Sequence, residues 1–515
     1  MAENLNETAG GRYQNLEATR RTFLDRARDA AKLTIPTLIP PDGHSSVTKY
    51  YTPFQGIGAR GVNNLASKLL LALLPPNSPF FRLAVDDFTL VKLTKRQGMR
   101  AEVEKALNQI ERSVMGEIES SAIRVSAFEA LKHLIVAGNA LLYLPPEGGM
   151  RVFRLDRFVV SRDPMGNVLE IITKEDIAPA ALPESVRKVV EADTTHQNGS
   201  VHRTVELFTW VRRQADKWTV HQEVKGAIIP GSKGTYPIDR TPWIPLRFTK
   251  IDGEDYGRGY VEEYYGDLRS LEGLTEAIVE GSAAAAKVLF LVNPNGTTDH
   301  RTLSDSPNGA IRTGNAQDVS VLQMDKFADF RIAFQTIELI QQRLSFAFLL
   351  NTAIQRAGER VTAEEIRFMA GELEDALGGV YSILSQEFQL PLVNRLMHQM
   401  ERQKKLPALP KGVVRPTITT GLEALGRGHD LNKLQSLLNN LAPLGPEAVA
   451  TYLNVGDYIT RAGTALGIDM AGLVKTEEEV QQQMQMQQMQ QMTEKLGPKG
   501  MDIVRDQMKP EAQPQ

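Results

Sequence analysis

Two long helical patterns flank a turn-rich insert and lead into a short loop, and this arrangement constrains the fold more than any other stretch of the chain. The first pattern runs from about Tyr260 to Lys287, the second from about Asp325 to Leu350. Apolar residues recur at helical spacing in both: Leu268, Leu271, Leu274 and Ile278, then Phe330, Phe334, Ile337, Leu344 and Phe348. Glu272, Glu276 and Glu280 read as lying on other faces, and the small residues from Gly281 to Ala286 permit close approach of two helices. At a rise of ~1.5 Å per residue each helix would be about 40 Å long. The insert, Leu289 to Met324, is rich in Asn, Gly, Pro, Asp and Thr and reads as a small module at the tip of an antiparallel pair. Periodicity alone leaves open whether this is an extended hairpin or an ordinary core element.

The segment NTAIQRAGERV follows, and then a well-marked helix start. Thr362 and Glu365 have capping-box spacing, and Val361 and Ile366 occupy the positions of a hydrophobic staple. Gln355 to Arg360 is thereby left as a compact loop. The new helix keeps Ile366, Met369, Leu373, Leu377, Val380 and Leu384 in register, and Pro391 should kink it.

Upstream, residues 12–33 read as an amphipathic helix with Leu16, Phe23, Ala27 and Ala31 on one side and arginines opposite. Gly56, Gly58 and Gly61 then fall in G-x-G-x-x-G spacing. A dinucleotide fingerprint needs a buried strand just before its first glycine, and Thr52-Pro53-Phe54 is a poor one. Close helix packing and a tight turn are the better reading. Residues 100–146 read as two helices, the second from Val125 to Leu144 and apolar on nearly all sides. From there to Gly259 the period shifts to alternation around turn clusters such as Asp163 to Asn167, the pattern of antiparallel strands, with an insert at Pro179 to Ser200. Beyond Lys405, Pro and Gly punctuate shorter helices up to about Leu473, and a Gln/Met run from Thr476 to Met492 reads equally as a helix or a frayed tail.

Composition removes several function classes. The 515 residues carry no cysteine, which excludes disulfides and thiolate chemistry, and a net charge of −3 argues against a general phosphate-gripping surface. The acidic, polar N-terminus is unlike a signal peptide, and the apolar runs near Leu70 and Val136 are too short or interrupted to span a bilayer, so no membrane partner is expected. Eight scattered histidines show no metal-ligand spacing, and there is no P-loop or G-x-S-x-G motif. The expectation is a protein without metal or cofactor that is not an enzyme.

The blocks TPFQGIGARGVNNLASKLLLALLP, EDYGRGYVEEYYGDLRSLEGLTEAIV, RLSFAFLLN, GERVTAEEIRFMAGELEDALGGVYSILSQEFQLPLVNRL and TGLEALGRGHDL go further. In order, from about residue 12 to residue 480, they closely resemble the portal, or head-to-tail connector, proteins of short-tailed podoviruses of the autographivirus type. The resemblance implies an α+β, mainly α fold of wing, stem, clip and crown, with a possible C-terminal helical barrel. It also implies a ring, typically of twelve copies, at one capsid vertex, through which double-stranded DNA enters and leaves. On this chain the implied wing is 1–258, stem helix 1 is 259–288, the clip 289–324, stem helix 2 is 325–350 and the tunnel loop 351–361. A kinked wing or crown helix covers 362–406, the crown 407–475 and a barrel helix or tail 476–496, with 497–515 expected to be disordered. Implied partners are further copies of the chain, the terminase motor, tail adaptor and tail tube proteins, and scaffolding and major capsid proteins. The implied location is the virion, after assembly in host cytoplasm.

Residues 325–365 hold five basic and six acidic side chains, a wall that would let DNA slide because each phosphate gripped adds salt-dependent affinity. Arg360, with Arg356, is the expected constriction, although an ion pair from Arg360 to Glu364 or Glu365 fits the same spacing. Lys326 and Arg343 are weaker channel candidates, and His300, Arg301 and Arg312 are weak candidates for clip contacts with partners. Two other readings stay open: a capsid or scaffold assembly protein without a channel, and a DNA clamp or enzyme.

Overall fold

The computed structural model describes residues 8–45, 47–76, 79–85, 99–184, 186–187, 204–285, 289–307, 309–322, 327–350, 373, 377, 379–407, 414–418, 434–441, and isolated positions beyond. The chain divides into two compact units, Met1–Gly421 and Leu422–Gln515. In the second, 434–441 is helical.

The first unit begins with α1, Ala9–Lys32, whose first turn is closed by the Thr8 side chain accepting from the Gly11 amide. Its arginines do not all face water as their spacing predicts. Arg20 is buried and donates to the Tyr13 hydroxyl and to the carbonyls of Leu155 and Phe158, which a long side chain reaches more readily than water does. The next helix, α2 (Ile57–Leu73), buries Val62, Leu65, Ala66, Leu69 and Leu73 in the main core of the unit.

Strand β1 (Phe81–Val85) precedes α3 (Met99–Ser120) and α4 (Ile123–Ala137). The expected apolar helix from Val125 to Leu144 is therefore too long. Gly138 adopts φ 72°, and Asn139–Tyr143 leaves the helix as a strand, β2. A left-handed residue ends a helix at little cost only when it is glycine. A Cβ on Gly138 would also lie 2.4 Å from the backbone of Arg258.

The alternating region forms two antiparallel sheets. Trp243–Arg247 (β10) pairs with β2, which pairs with β3 (Arg151–Phe153). The larger sheet runs β4 (Phe158–Arg162), β5 (Val168–Ile177), β6 (Val205–Gln214), β7 (Lys217–Val224), β8 (Ala227–Ile228), with β9 (Gly234–Pro237) also on β7. The Asp163 to Asn167 cluster makes the β4–β5 turn, where the Asp163 carboxylate accepts from the Asn167 amide. The insert is described only at its start, as a 3-10 turn at Pro179–Ala181 followed by helical positions at 184 and 186–187.

After the sheets the chain turns into the hairpin. Asn139 pins this passage, donating to the Gly257 carbonyl at 2.8 Å and accepting from its amide at 2.7 Å. Beyond the hairpin, α7 (Gly379–Leu384) passes into a π-helical turn, Ser385–Gln389, and then α8 (Leu390–Arg402), before β13 (Val414–Ile418) pairs with β1. The disturbance expected at Pro391 thus falls in the turn preceding it, where the missing proline N–H would have continued the ladder. That π turn delivers Glu387 to a bidentate ion pair with buried Arg247. Among the described residues the strands close no barrel.

Candidate functional site: the helical hairpin and its two ends

The first helical pattern is interrupted at Tyr264. A single turn, Tyr260–Glu263, precedes α5, Tyr265–Ala285, while α6 spans Phe327–Ala347. The seam between α5 and α6 contains Leu268, Leu271, Ile337, Ile340 and Leu344, all buried. Near the far end a Cβ on Gly281 would meet the Phe330 ring at 2.7 Å, so the small residue does permit close approach. Two seam assignments change. Phe334 is 55% exposed, and Glu272 is buried, accepting from the Tyr51 hydroxyl and the amides of Phe54 and Gln55. A carboxylate that collects three donors is satisfied without water, which hydropathy patterning does not register.

Opposite the seam, α6 carries a second apolar stripe. Ile332, Leu339 and Phe346 are 63%, 63% and 78% exposed, and each lies seven residues from the next. A helix with one buried and one bare apolar face is covered only once by its own chain.

The outer end is a four-pair antiparallel ladder, β11 (Leu289–Val292) on β12 (Val319–Leu322). Its loop is organised by Asp318, whose carboxylate accepts from the Thr297 amide at 2.8 Å, the Thr298 amide at 3.2 Å and the Thr298 hydroxyl at 3.1 Å. Desolvation pushes this carboxyl up, but the combined hydrogen bonds hold it below the usual carboxylate range. Asp299 caps the short helix His300–Ser304, with its carboxylate accepting from the Arg301 amide. His300 Nδ1 is 3.7 Å from Asp299, Arg312 donates to Ser306 Oγ at 3.0 Å, and Arg301 is exposed.

The inner end is built differently. Phe348 is fully buried among the rings of Tyr260 and Tyr264, and Tyr260 donates its hydroxyl to the Ala347 carbonyl at 2.9 Å. Burial, then the contact with Tyr264, raises the Tyr260 phenol far above its ordinary pKa, so it stays a donor. Leu349 adopts φ 53°, and the Leu350 amide donates back to Ser345 at 2.7 Å, ending the helix with a left-handed residue that is not glycine. The exposed carbonyls are met by α2. Asn64 donates to Phe348 at 2.9 Å and Leu349 at 3.0 Å, and buried Lys68 donates to Leu349 at 2.9 Å. A cation at a helix C-terminus also complements the macrodipole.

This contact explains the glycine spacing on α2. Cβ atoms at Gly58 and Gly61 would lie 2.4 Å from the Leu33 carbonyl oxygen and 2.6 Å from Phe348 Cγ. Gly56, at φ −100°, makes no glycine-only turn. Close packing is the use of this motif here, and the tight turn is not seen. Asn64, Lys68 and Tyr260 escaped the sequence reading. Lys68 carried a signal, as the one charged residue in LASKLLLALLPP.

Of the sequence-predicted channel residues, Arg343 is exposed on α6, with Nη2 2.9 Å from Asp267 on α5. Arg356, Arg360 and Lys326 lie outside the described residues, as do Glu364 and Glu365. Among the described residues no cluster of potential ligands is arranged to hold a metal, and no helix is long and apolar enough to cross a membrane.

Comparison with known proteins places this architecture. The profile of a family described as bacteriophage head to tail connecting protein matches residues 6–474. The portal protein of Escherichia phage T7 is 48% identical over 479 residues, 92% of this chain and 89% of its own length. That of Enterobacteria phage T3 is 47% identical, covering 91% of this chain and 88% of its own. That of Enterobacteria phage SP6 is 31% identical, covering 92% and 90%.

Proposed function

Because the chain belongs to the family of bacteriophage head-to-tail connecting proteins, we propose that it forms a ring at the portal vertex of the capsid whose axial channel carries double-stranded DNA in and out. As a portal protein its role is structural, and it is part of the virion at the head-to-tail junction. The observation that carries the ring is the bare stripe Ile332, Leu339 and Phe346, on the face of α6 turned away from the hairpin seam. Closed cyclic symmetry covers such a stripe with the next copy and leaves none unsatisfied.

In this reading α5 and α6 are the stem, β11 to β12 with their loop are the clip, and residues 351–361 are the tunnel loop. The strand-rich region before Gly259 is the wing, joined by part of the helix after Thr362, and crown and barrel follow. Arg360, with Arg356, forms the narrow constriction, where isolated cations on a nearly neutral wall guide phosphates without trapping them. Lys326 and Arg343 are lesser contributors. Arg343 spends its charge on Asp267 in the single chain, which weakens its claim on DNA. The clip, with His300, Arg301 and Arg312 exposed, serves the terminase motor during packaging and the tail adaptor afterwards. Scaffolding and major capsid proteins seat the wing during assembly in the host cytoplasm, and twelve copies is the expected ring number.

Electron microscopy of the purified protein tests this reading. Axial rings with an open channel are expected, and a stable compact monomer would overturn it. Leu339→Glu together with Phe346→Glu should leave the chain folded by circular dichroism and abolish rings in sedimentation. Arg360→Ala should preserve rings and alter DNA filling or retention in virions; unchanged filling and retention would remove Arg360 from the channel.

A further inference from the structure

Helix α2 holds two separate limbs of the chain by the same device. At its middle, Asn64 and Lys68 donate to the carbonyls of Phe348 and Leu349, where the stem ends. At its C-terminus α2 is the acceptor. The carbonyl of Ala72 receives the Tyr381 hydroxyl at 3.1 Å, and that of Leu73 receives Gln389 Nε2 at 2.6 Å. These are among the last carbonyls of a helix, which no intrahelical amide can satisfy. Tyr381 lies in α7, and Gln389 is fully buried at the end of the π turn that leads into α8. Five side-chain hydrogen bonds to backbone carbonyls therefore join the stem end and the α7–α8 helix to one rigid rod. The π turn is what aims Gln389 at Leu73 while Glu387, two residues earlier, goes to Arg247.

We propose that α2 is a coupler between the stem and the α7–α8 helix, with Lys68 as the positioning residue at the stem end. Three features make the stem contact tight rather than incidental. Gly61 brings the α2 backbone against the Phe348 ring with no room for a methyl group. Leu349 holds a left-handed conformation that leucine adopts only when its surroundings fix it. Lys68 is 6% exposed, so its ammonium group has exchanged water for the Leu349 carbonyl and the helix dipole. A displacement of the stem end accordingly displaces α2, and α2 passes it to Tyr381 and Gln389. The inference concerns the mechanics of the chain and holds whether or not the channel carries DNA.

Hydrogen exchange on the assembled full-length protein tests it through two substitutions read reciprocally. Lys68→Met should speed exchange of the Phe348 to Leu350 amides by about tenfold, the worth of one hydrogen bond from a charged donor. It should also speed exchange in α8 by about fivefold or more, the lower end of coupling between linked sites. Gln389→Met should do the converse, loosening α8 directly and the Phe348 to Leu350 amides through α2. Lys68→Arg, which keeps a charged donor, should restore most of the protection at both places. Changes confined in each variant to its own limb would overturn the coupling. Should Lys68→Met fail to assemble, Asn64→Ala removes two of the stem bonds while keeping the buried charge, and the same two-site readout decides.

Discussion

At its inner end the helical hairpin stops on a fully buried phenylalanine, a buried lysine and a tyrosine hydroxyl, whereas its outer end carries a short ladder and loops exposed to water. Both ends are rich in hydrogen bonds, so their number does not distinguish them. The difference lies in what surrounds the bonds. Around Leu349 the donors come from another helix packed in the core, and opening one costs a bond that water does not readily replace. Around Asp318 the donors are Thr297 and Thr298 of the same loop, and water can replace them. One end is suited to holding a fixed angle, and the other leaves its polar groups open to water.

Four measurements would break or sharpen this contrast. Phe348→Ala empties a buried aromatic site and should cost about 3–5 kcal/mol of unfolding free energy, seen by urea titration; a cost no greater than for a substitution at the outer end would erase the distinction between the ends. Gly61→Ala adds one methyl where Phe348 already sits and should cost about 1–3 kcal/mol by overpacking, with the outer end unaffected. Acidification should act on the other end. The Asp318 carboxyl is held below its unfolded value, so its contribution is present above the ordinary carboxylate pKa and is lost as pH falls below it through the folded value. Protection of the Thr297 and Thr298 amides, taken relative to the intrinsic exchange rate at each pH, should fall below about pH 4 while the Phe348 to Leu350 amides stay protected. Arg343→Ala removes an exposed pair close to the inner end and should change stability by about 0.2–1 kcal/mol, showing that proximity to that end is not what confers strength.

The hairpin was legible because its seam follows helical periodicity over more than five turns, which short apolar runs cannot mimic. The strands and their turns were legible for the same reason at period two. Periodicity failed where a polar group is buried with partners supplied from afar. Arg20 and Glu272 read as polar-face residues and Lys68 interrupts an apolar run, yet each is buried and bonds to groups separated from it by more than a hundred residues. It failed also at Val125 to Leu144, where an apolar run serves first a helix and then a strand, and only Gly138 marks the change. The inner end of the hairpin became legible only with the structure, since its holding residues lie on α2, far upstream in sequence. Arg356 and Arg360 rest on the family resemblance and their charge, and Lys326 stands with them.

The hairpin has one more property. Its seam residues Phe330, Ile337 and Leu344 repeat every seventh position, and so do the bare residues Ile332, Leu339 and Phe346. Inserting one residue into α6 would rotate everything beyond it by about 100° and carry both faces out of register together. Inserting seven would rotate them by only about 20° while lengthening the helix by about 10 Å. If α5 changed in step, the distance between the two ends could grow or shrink in whole heptads without disturbing either, so related chains should differ in hairpin length by sevens and rarely by ones.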